Sequence, residues 1–219
     1  MIICIDAGMV PYEEGMAWQR NLAERRRRPH GRDHLLLLEH PPVYTMGRRD
    51  SSSDLLLSDD QIRRRGMEIH KTDRGGRVTY HGPGQLVGYL IFKVEDPIPK
   101  LVWKIEEVLL RTLEHFHLAG ERDAAYPGVW IGTKKIAALG LHIERGVSTH
   151  GFALNVNCDL KPFQNINPCG IKDRGVTSLE QELGWCPSMR DVKNIVLMEF
   201  ANIFETNVSV EGISPTLPE

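Results

Sequence analysis

Residues 74–85, RGGRVTYHGPGQ, put four glycines, two arginines and an aromatic pair between two strand-like runs, 67–71 and 86–92. Glycine has no Cβ, so such a stretch lets backbone come close to another strand or to a bound group where other residues would obstruct it. A Gly-rich hairpin loop meets the same description, because strand connections routinely take glycine and proline. Composition alone leaves the two readings open.

The pattern around that stretch is mixed. Ile2 to Asp6 reads as a strand and 11–28 as a helix, opened by Pro11 and closed ahead of Pro29 and Gly31. Residues 35–39 are an apolar run of strand length, ended by Pro41 and Pro42. Ser58 with Gln61 three residues on has the form of a capping box for a short helix to Arg65. Over 99–116, Leu101, Val102, Ile105, Val108, Leu109, Thr112, Leu113 and Phe116 share one helical face. Strands are predicted at 129–131, 136–143 and 149–156, with turns at 132–134 and 145–146. A last helix, 189–205, is capped by Ser188 and buries Val192, Ile195, Val196, Phe200, Ile203 and Phe204. Together these predict one α/β (α+β) domain over 1–210, a mixed sheet covered by helices, with 211–219 as a loose tail.

Several function classes drop out. A net charge of −2 gives no ground for general nucleic-acid binding. No apolar run approaches the ~20 residues of a membrane span. The opening MIICIDAG lacks a basic leader, so no signal peptide is expected. The cysteines, Cys4, Cys158, Cys169 and Cys186, form no CxxC pair and no disulfide framework, which points to reduced thiols and a cytoplasmic protein. The histidines show no ligand spacing, so no metal is expected. No sticky surface stripe is evident, and a monomer is expected.

Five segments occur in order: LLLLEHPPVYTMGR (35–48), RGGRVTYHGPGQ (74–85), KKIAALGLHIERG (134–146), STHGFALNVN (148–157) and INPCGI (166–171). Over 35–178 the chain resembles the lipoyl(octanoyl) transferases. That resemblance implies the fold shared by biotin and lipoate ligase catalytic domains. It implies an acyltransferase that moves an octanoyl group from octanoyl–acyl carrier protein to a lysine of a lipoyl domain, with no cofactor. The implied acceptors are the lipoyl domains of 2-oxoacid dehydrogenase complexes and the glycine cleavage H protein. By position in the motifs, Cys169 would carry the acyl group and Lys135 would be its catalytic partner. Arg74, Gly75, Gly76, Arg77, Val78, Thr79, Tyr80, His81, Ala138, Leu139, Gly140, Gly151, Phe152 and Ala153 would line the substrate site.

Residue chemistry bears on these roles. Cys169, between Pro168 and Gly170, reads as a turn that presents the sulfur, whereas the commoner fate of a free cysteine is a small buried hydrophobe. Cys4, in an apolar strand, fits the latter. A lysine beside a cysteine favours the thiolate. Lys134 and Lys135 are strand neighbours that point to opposite faces, so only one can meet Cys169. His81 and His150 are expected to be hydrogen-bonding rather than catalytic groups. Arg48 and Arg49, beside a motif, are expected on a docking surface for acidic carrier and lipoyl domains, and the arginines at 25–28 read as a solvated helix end. Three rivals are an ATP-dependent lipoate or biotin ligase on the same fold, a non-catalytic binder, and a cysteine hydrolase pairing Cys169 with His150 or His81. The loop YHGPGQLVGY departs from the ligases' histidine–aspartate–glycine–asparagine form.

Overall fold

The computed structural model describes residues 1–49, 52–167 and 174–212. Its strands are β1 (Ile2–Met9), β2 (Asp33–Glu39), β3 (Val43–Met46), β4 (Glu68–Lys71), β5 (Val78–His81), β6 (Gln85–Ile91), β7 (Glu121–Arg122), β8 (Gly128–Ile131), β9 (Lys134–Glu144), β10 (Val147–Asn155), β11 (Gly175–Val176) and β12 (Val208–Gly212). The helices are α1 (Tyr12–Arg27), α2 (Asp59–Arg64), α3 (Ile98–Glu114), α4 (Leu179–Leu183) and α5 (Met189–Ile203).

The larger sheet runs β12-β1-β2-β6-β10-β9-β8-β7, with β11 beside the first residues of β9. Its first three strands are parallel and the succession from β2 to β8 is antiparallel. This is the mixed sheet between helices that the periodicity predicts. Leu35, Leu36, Leu37 and Leu38 explain the layering. Successive strand residues face opposite sides, and here both sides are dry. Leu35 and Leu37 join Ile105, Leu109, Val196 and Phe200 of α3 and α5, while Leu36 and Leu38 join Leu22 and Ala23 of α1. All four leucines are fully buried, each stabilising the fold by about 1.5–3 kcal/mol. An unbroken apolar run is what a strand covered on both faces requires.

The Gly-rich stretch is not a hairpin. β4 and β5 pair with β3 in a separate three-stranded sheet, and β6 lies in the larger one. Val78 and Tyr80 pack with Tyr44, Ile62, Phe163 and Ile166 in a third apolar cluster, and that packing draws the middle of a glycine-rich segment into a strand. The stretch therefore bridges the two sheets.

α1, α2, α3 and α5 fall close to expectation, α4 was not anticipated, and the Ser58–Gln61 capping box is present in both directions, at 3.3 and 2.9 Å. Arg26 and Arg27 of the basic helix end are paired with Asp33, Glu24 and Glu144. β3 follows directly on the proline pair. β12 was not anticipated; it extends to Gly212, two residues into the segment expected to be loose, and 213–219 lie outside the described residues. No helix among the described residues is long and apolar enough to cross a membrane.

Candidate active site

A cavity of about 340 Å³ opens where the Gly-rich stretch passes over β6, β10 and β9, within the range typical of small-molecule sites. Val87 and Tyr89 of β6, Gly151 and Ala153 of β10, and Ala138 and Gly140 of β9 line it beneath residues 74–79. Ile98 and Val102 of α3 and residues 125–127 complete the wall. Among the predicted site residues, Arg74, Gly75, Gly76, Arg77, Val78, Thr79, His81, Lys135, Ala138, Leu139, Gly140, Gly151, Phe152 and Ala153 all line this cavity. Tyr80 does not. Strand alternation turns its ring into the small-sheet cluster, against Tyr44 and Phe163. Cys169 lies outside the described residues.

The loop over the cavity is clamped by backbone on two sides. Gly47, Arg48 and Arg49 donate their N–H groups to the carbonyls of Arg77, Arg74 and Gly76, and Gly75 donates to Leu141 O at 2.9 Å. Such approach demands glycine. A Cβ on Gly47 would sit 2.4 Å from Gly76 O, and one on Gly140 would sit 2.9 Å from Gly75 O and 3.3 Å from Arg74 Cδ. Gly140→Ala is therefore expected to lift the loop and raise the KM for whatever substrate the cavity takes several-fold, with a smaller change in kcat. Steady-state kinetics on the folded variant would check this, and an unchanged KM would show that loop height is irrelevant.

Side chains lock the loop from below. The Arg74 guanidinium is buried and donates to Thr45 O at 2.6 Å and to Thr45 Oγ1 at 2.8 Å. Gln85 gives its amide protons to Tyr80 O and Asn155 Oδ1, so its carbonyl accepts from His81 Nδ1 at 2.7 Å. His81 Nε2 is left to accept from the Thr45 hydroxyl at 3.4 Å. Asn155 continues the chain to Thr177 O, and Thr177 N reaches Lys135 O. Burial, then His40 and Arg74, push His81 well below the ordinary histidine range, so this network holds a neutral imidazole. His150 Nε2 bonds Asp73 Oδ1 at 2.7 Å. Arg77 pairs with the buried Asp54.

Lys135 reaches the cavity through a β-bulge. Val129 pairs with Ala137 and Trp130 with Lys135, leaving Ile136 as the extra residue. Ile136 and Ala137 consequently both enter the α3/α5 core, and Lys135 and Ala138 both line the cavity. Lys134 turns away, with Nζ 3.8 Å from Glu182. The Lys135 ammonium donates to Pro127 O at 3.1 Å and lies 4.7 Å from the centre of the Trp130 ring. Gly128 makes room for it, since a Cβ there would meet Lys135 Cε at 3.3 Å and Ala137 O at 2.5 Å.

Of the other thiols, Cys4 and Cys158 are buried, and desolvation pushes each up to about 12. Neither is a thiolate near neutral pH. Cys186 is exposed and accepts from Asn157 Nδ2 at 3.1 Å. Phe163 and Val176, six residues before and seven after Cys169 in the chain, both line the cavity, and Val176 pairs with Lys135. Thr45, Gln85, Asn155, Gly128 and Trp130 belong to the site although the sequence did not single them out for roles. The one local signal was Gln85, four residues past His81 across a tight turn.

Known proteins resemble this chain in sequence and in fold. Residues 11–201 match the family model described as the lipoyl protein ligase A/B catalytic domain. The octanoyltransferase of Alkaliphilus metalliredigens is 43% identical over 208 residues, covering 93% of this chain and 95% of that protein. The octanoyltransferase of Caldicellulosiruptor bescii is 43% identical, covering 96% of each. A crystal structure of lipoate-protein ligase A bound with ATP superposes with a TM-score of 0.80 at 18% identity, over 98% of this chain and 90% of that one. At that identity it speaks for the fold alone.

Proposed function

The chain belongs to the lipoyl protein ligase A/B catalytic-domain family and is an acyltransferase of the octanoyltransferase kind, and from that premise we propose how its residues carry the octanoyl group. The donor is octanoyl–acyl carrier protein and the acceptor a lysine of a lipoyl domain, in 2-oxoacid dehydrogenase complexes or the glycine cleavage H protein. The Cys169 thiolate attacks the donor thioester, releases the carrier thiol and becomes an octanoyl thioester. The acceptor amine then attacks that thioester, giving the amide and returning the thiol. Lys135 takes and returns the protons in both steps. Thioester exchange is near balance and thioester to amide runs downhill, so no ATP enters.

The observation that carries this reading is the arrival of Lys135 in the cavity, paired with Val176, seven residues after Cys169 in the chain. Methylene burial in the cavity contributes about 0.8 kcal/mol per CH₂, and Gly140, Ala138 and Ala153 leave room for the chain. Arg49 at the cavity edge and its neighbour Arg48 are exposed, a basic rim suited to acidic carrier and lipoyl domains. A monomer in a reducing, cytoplasmic compartment fits this use of a free thiol.

The test is intact-mass analysis after mixing the protein with octanoyl–acyl carrier protein without ATP. An octanoyl adduct that a lipoyl domain discharges is expected. Absence of an adduct, with modification appearing only when ATP and free octanoate are added, would replace this reading with an ATP-dependent ligase.

A further inference from the structure

Two cations share one indole. Trp130 is 3% exposed, and its Nε1 donates to Tyr126 O at 3.1 Å, which fixes the ring plane. Lys135 Nζ lies 4.7 Å from the ring centre and Arg174 Cζ 4.9 Å from it. Arg174 is itself held by Asp123 and lies 5.6 Å from the Tyr126 ring. Asp123 in turn accepts from the backbone of Ala125 and Tyr126, so the segment that supplies Pro127 O to Lys135 is fixed by the same cluster.

A lysine head on four rotatable bonds needs walls before it can act at one sulfur atom. Among the described residues, Gly128 lies beneath it, Pro127 O accepts from it and the indole face forms a wall. We propose that Trp130 is a positioning residue for Lys135, holding the ammonium by the negative face of its ring, with the Arg174–Asp123 pair bracing that ring. The inference deepens the function proposed above and rests on it for the kinetic part of its test. A desolvated cation–π contact biases a side chain's population by roughly two- to thirty-fold. Loss of the ring face would thus lower the fraction of enzyme with Lys135 in place, which reduces kcat and leaves donor binding alone.

The discriminating experiment keeps the shape of the ring and removes its electrostatics. Tryptophan at position 130 is replaced site-specifically in the full chain by mono-, di- and tetrafluorotryptophan, which drain the ring face step by step. The first readout is labelling of Lys135 by acetic anhydride, measured by mass spectrometry against Lys134 as internal standard. The ratio is expected to rise with each fluorine, several-fold across the series. The second is octanoyl transfer, with kcat expected to fall in parallel while the KM for octanoyl–acyl carrier protein stays within about two-fold. Trp130→Leu should lower kcat about ten-fold, yet add nothing in a Lys135→Ala background. A flat labelling ratio across the fluorinated series would overturn the proposal and leave Trp130 as core packing. Labelling needs no turnover, so it still decides the matter if no octanoyl transfer is found; a rising ratio without transfer would count against the acyltransfer course alone.

Discussion

Cys169→Ser is expected to abolish octanoyl transfer, and Lys135→Arg to lower it by roughly 10²- to 10⁴-fold, the usual reach of a general acid–base group. The two substitutions separate two jobs. A serine hydroxyl ionises far above the range of a thiol, so at neutral pH it offers almost no anion to attack the donor. Arginine keeps positive charge near the sulfur but cannot shed a proton. If charge stabilisation of the thiolate were all that Lys135 did, the arginine variant would still form the acyl-enzyme at a good rate. If proton transfer matters, it would be slow in both half-reactions, most of all when the incoming amine must lose a proton. Single-turnover acylation and deacylation of each variant would measure this. Serine retaining transfer, or arginine matching the unmodified enzyme in both half-reactions, would remove the corresponding role. Cys4 and Cys158 are poor substitutes, because burial pushes each up to about 12.

How far the sequence revealed this site depends on whether the information was local. The helices α3 and α5 each show an apolar stripe, and those stripes are the faces that bury Leu109, Leu113, Val192, Val196 and Phe200. The apolar run at 35–39 predicts a strand, and only the helices packed on its two sides show that both are dry. The cavity-lining loops were legible through their motifs, down to individual glycines. What stayed hidden depends on partners far along the chain. Alternation correctly sends Lys134 and Lys135 to opposite sides, but alternation continued from Ala138 would have put Lys135 in the core; the bulge at Ile136 exists only because β8 pairs out of step. Tyr80 sits inside a substrate-loop motif and still turns away, since the small sheet that claims it is built from β3, a strand hidden behind two prolines. Trp130 gave no signal. Its neighbours in space are Lys135 and Arg174, brought together by the strand pairing.

The protein is expected to lose stability steeply as pH falls from about 6.5 toward 4, before most of its carboxylates protonate. Four imidazoles contribute, His34, lowered by partial burial, and three that lie deeper. His40 is fully buried, its Nδ1 bonded to Val10 O at 2.6 Å and its Nε2 to Tyr89 OH at 2.6 Å. Desolvation lowers it to about 4. His81 is pushed well below its ordinary value by burial, and His150 is lowered by burial despite the opposing pull of Asp73. In the unfolded chain each would take a proton near pH 6.5, whereas the folded chain refuses it until the depressed value is reached. Between those limits the unfolded state binds more protons, so stability rises with pH and falls on acidification. His40 alone, shifted from 6.5 to about 4, accounts for a loss of order 3 kcal/mol across that window, a large part of what holds a domain folded. Asp73 contributes in a different window: its carboxyl is held at about 2, chiefly by the His150 hydrogen bond, so its stabilising effect persists until far lower pH. Urea unfolding at pH 7, 5.5 and 4 would trace the slope, and His40→Gln should flatten it. Equal stability at pH 7 and pH 4 would mean that these imidazoles are not buried neutral, and the network that fixes Arg74 over the cavity would have to be redrawn with a charged His81.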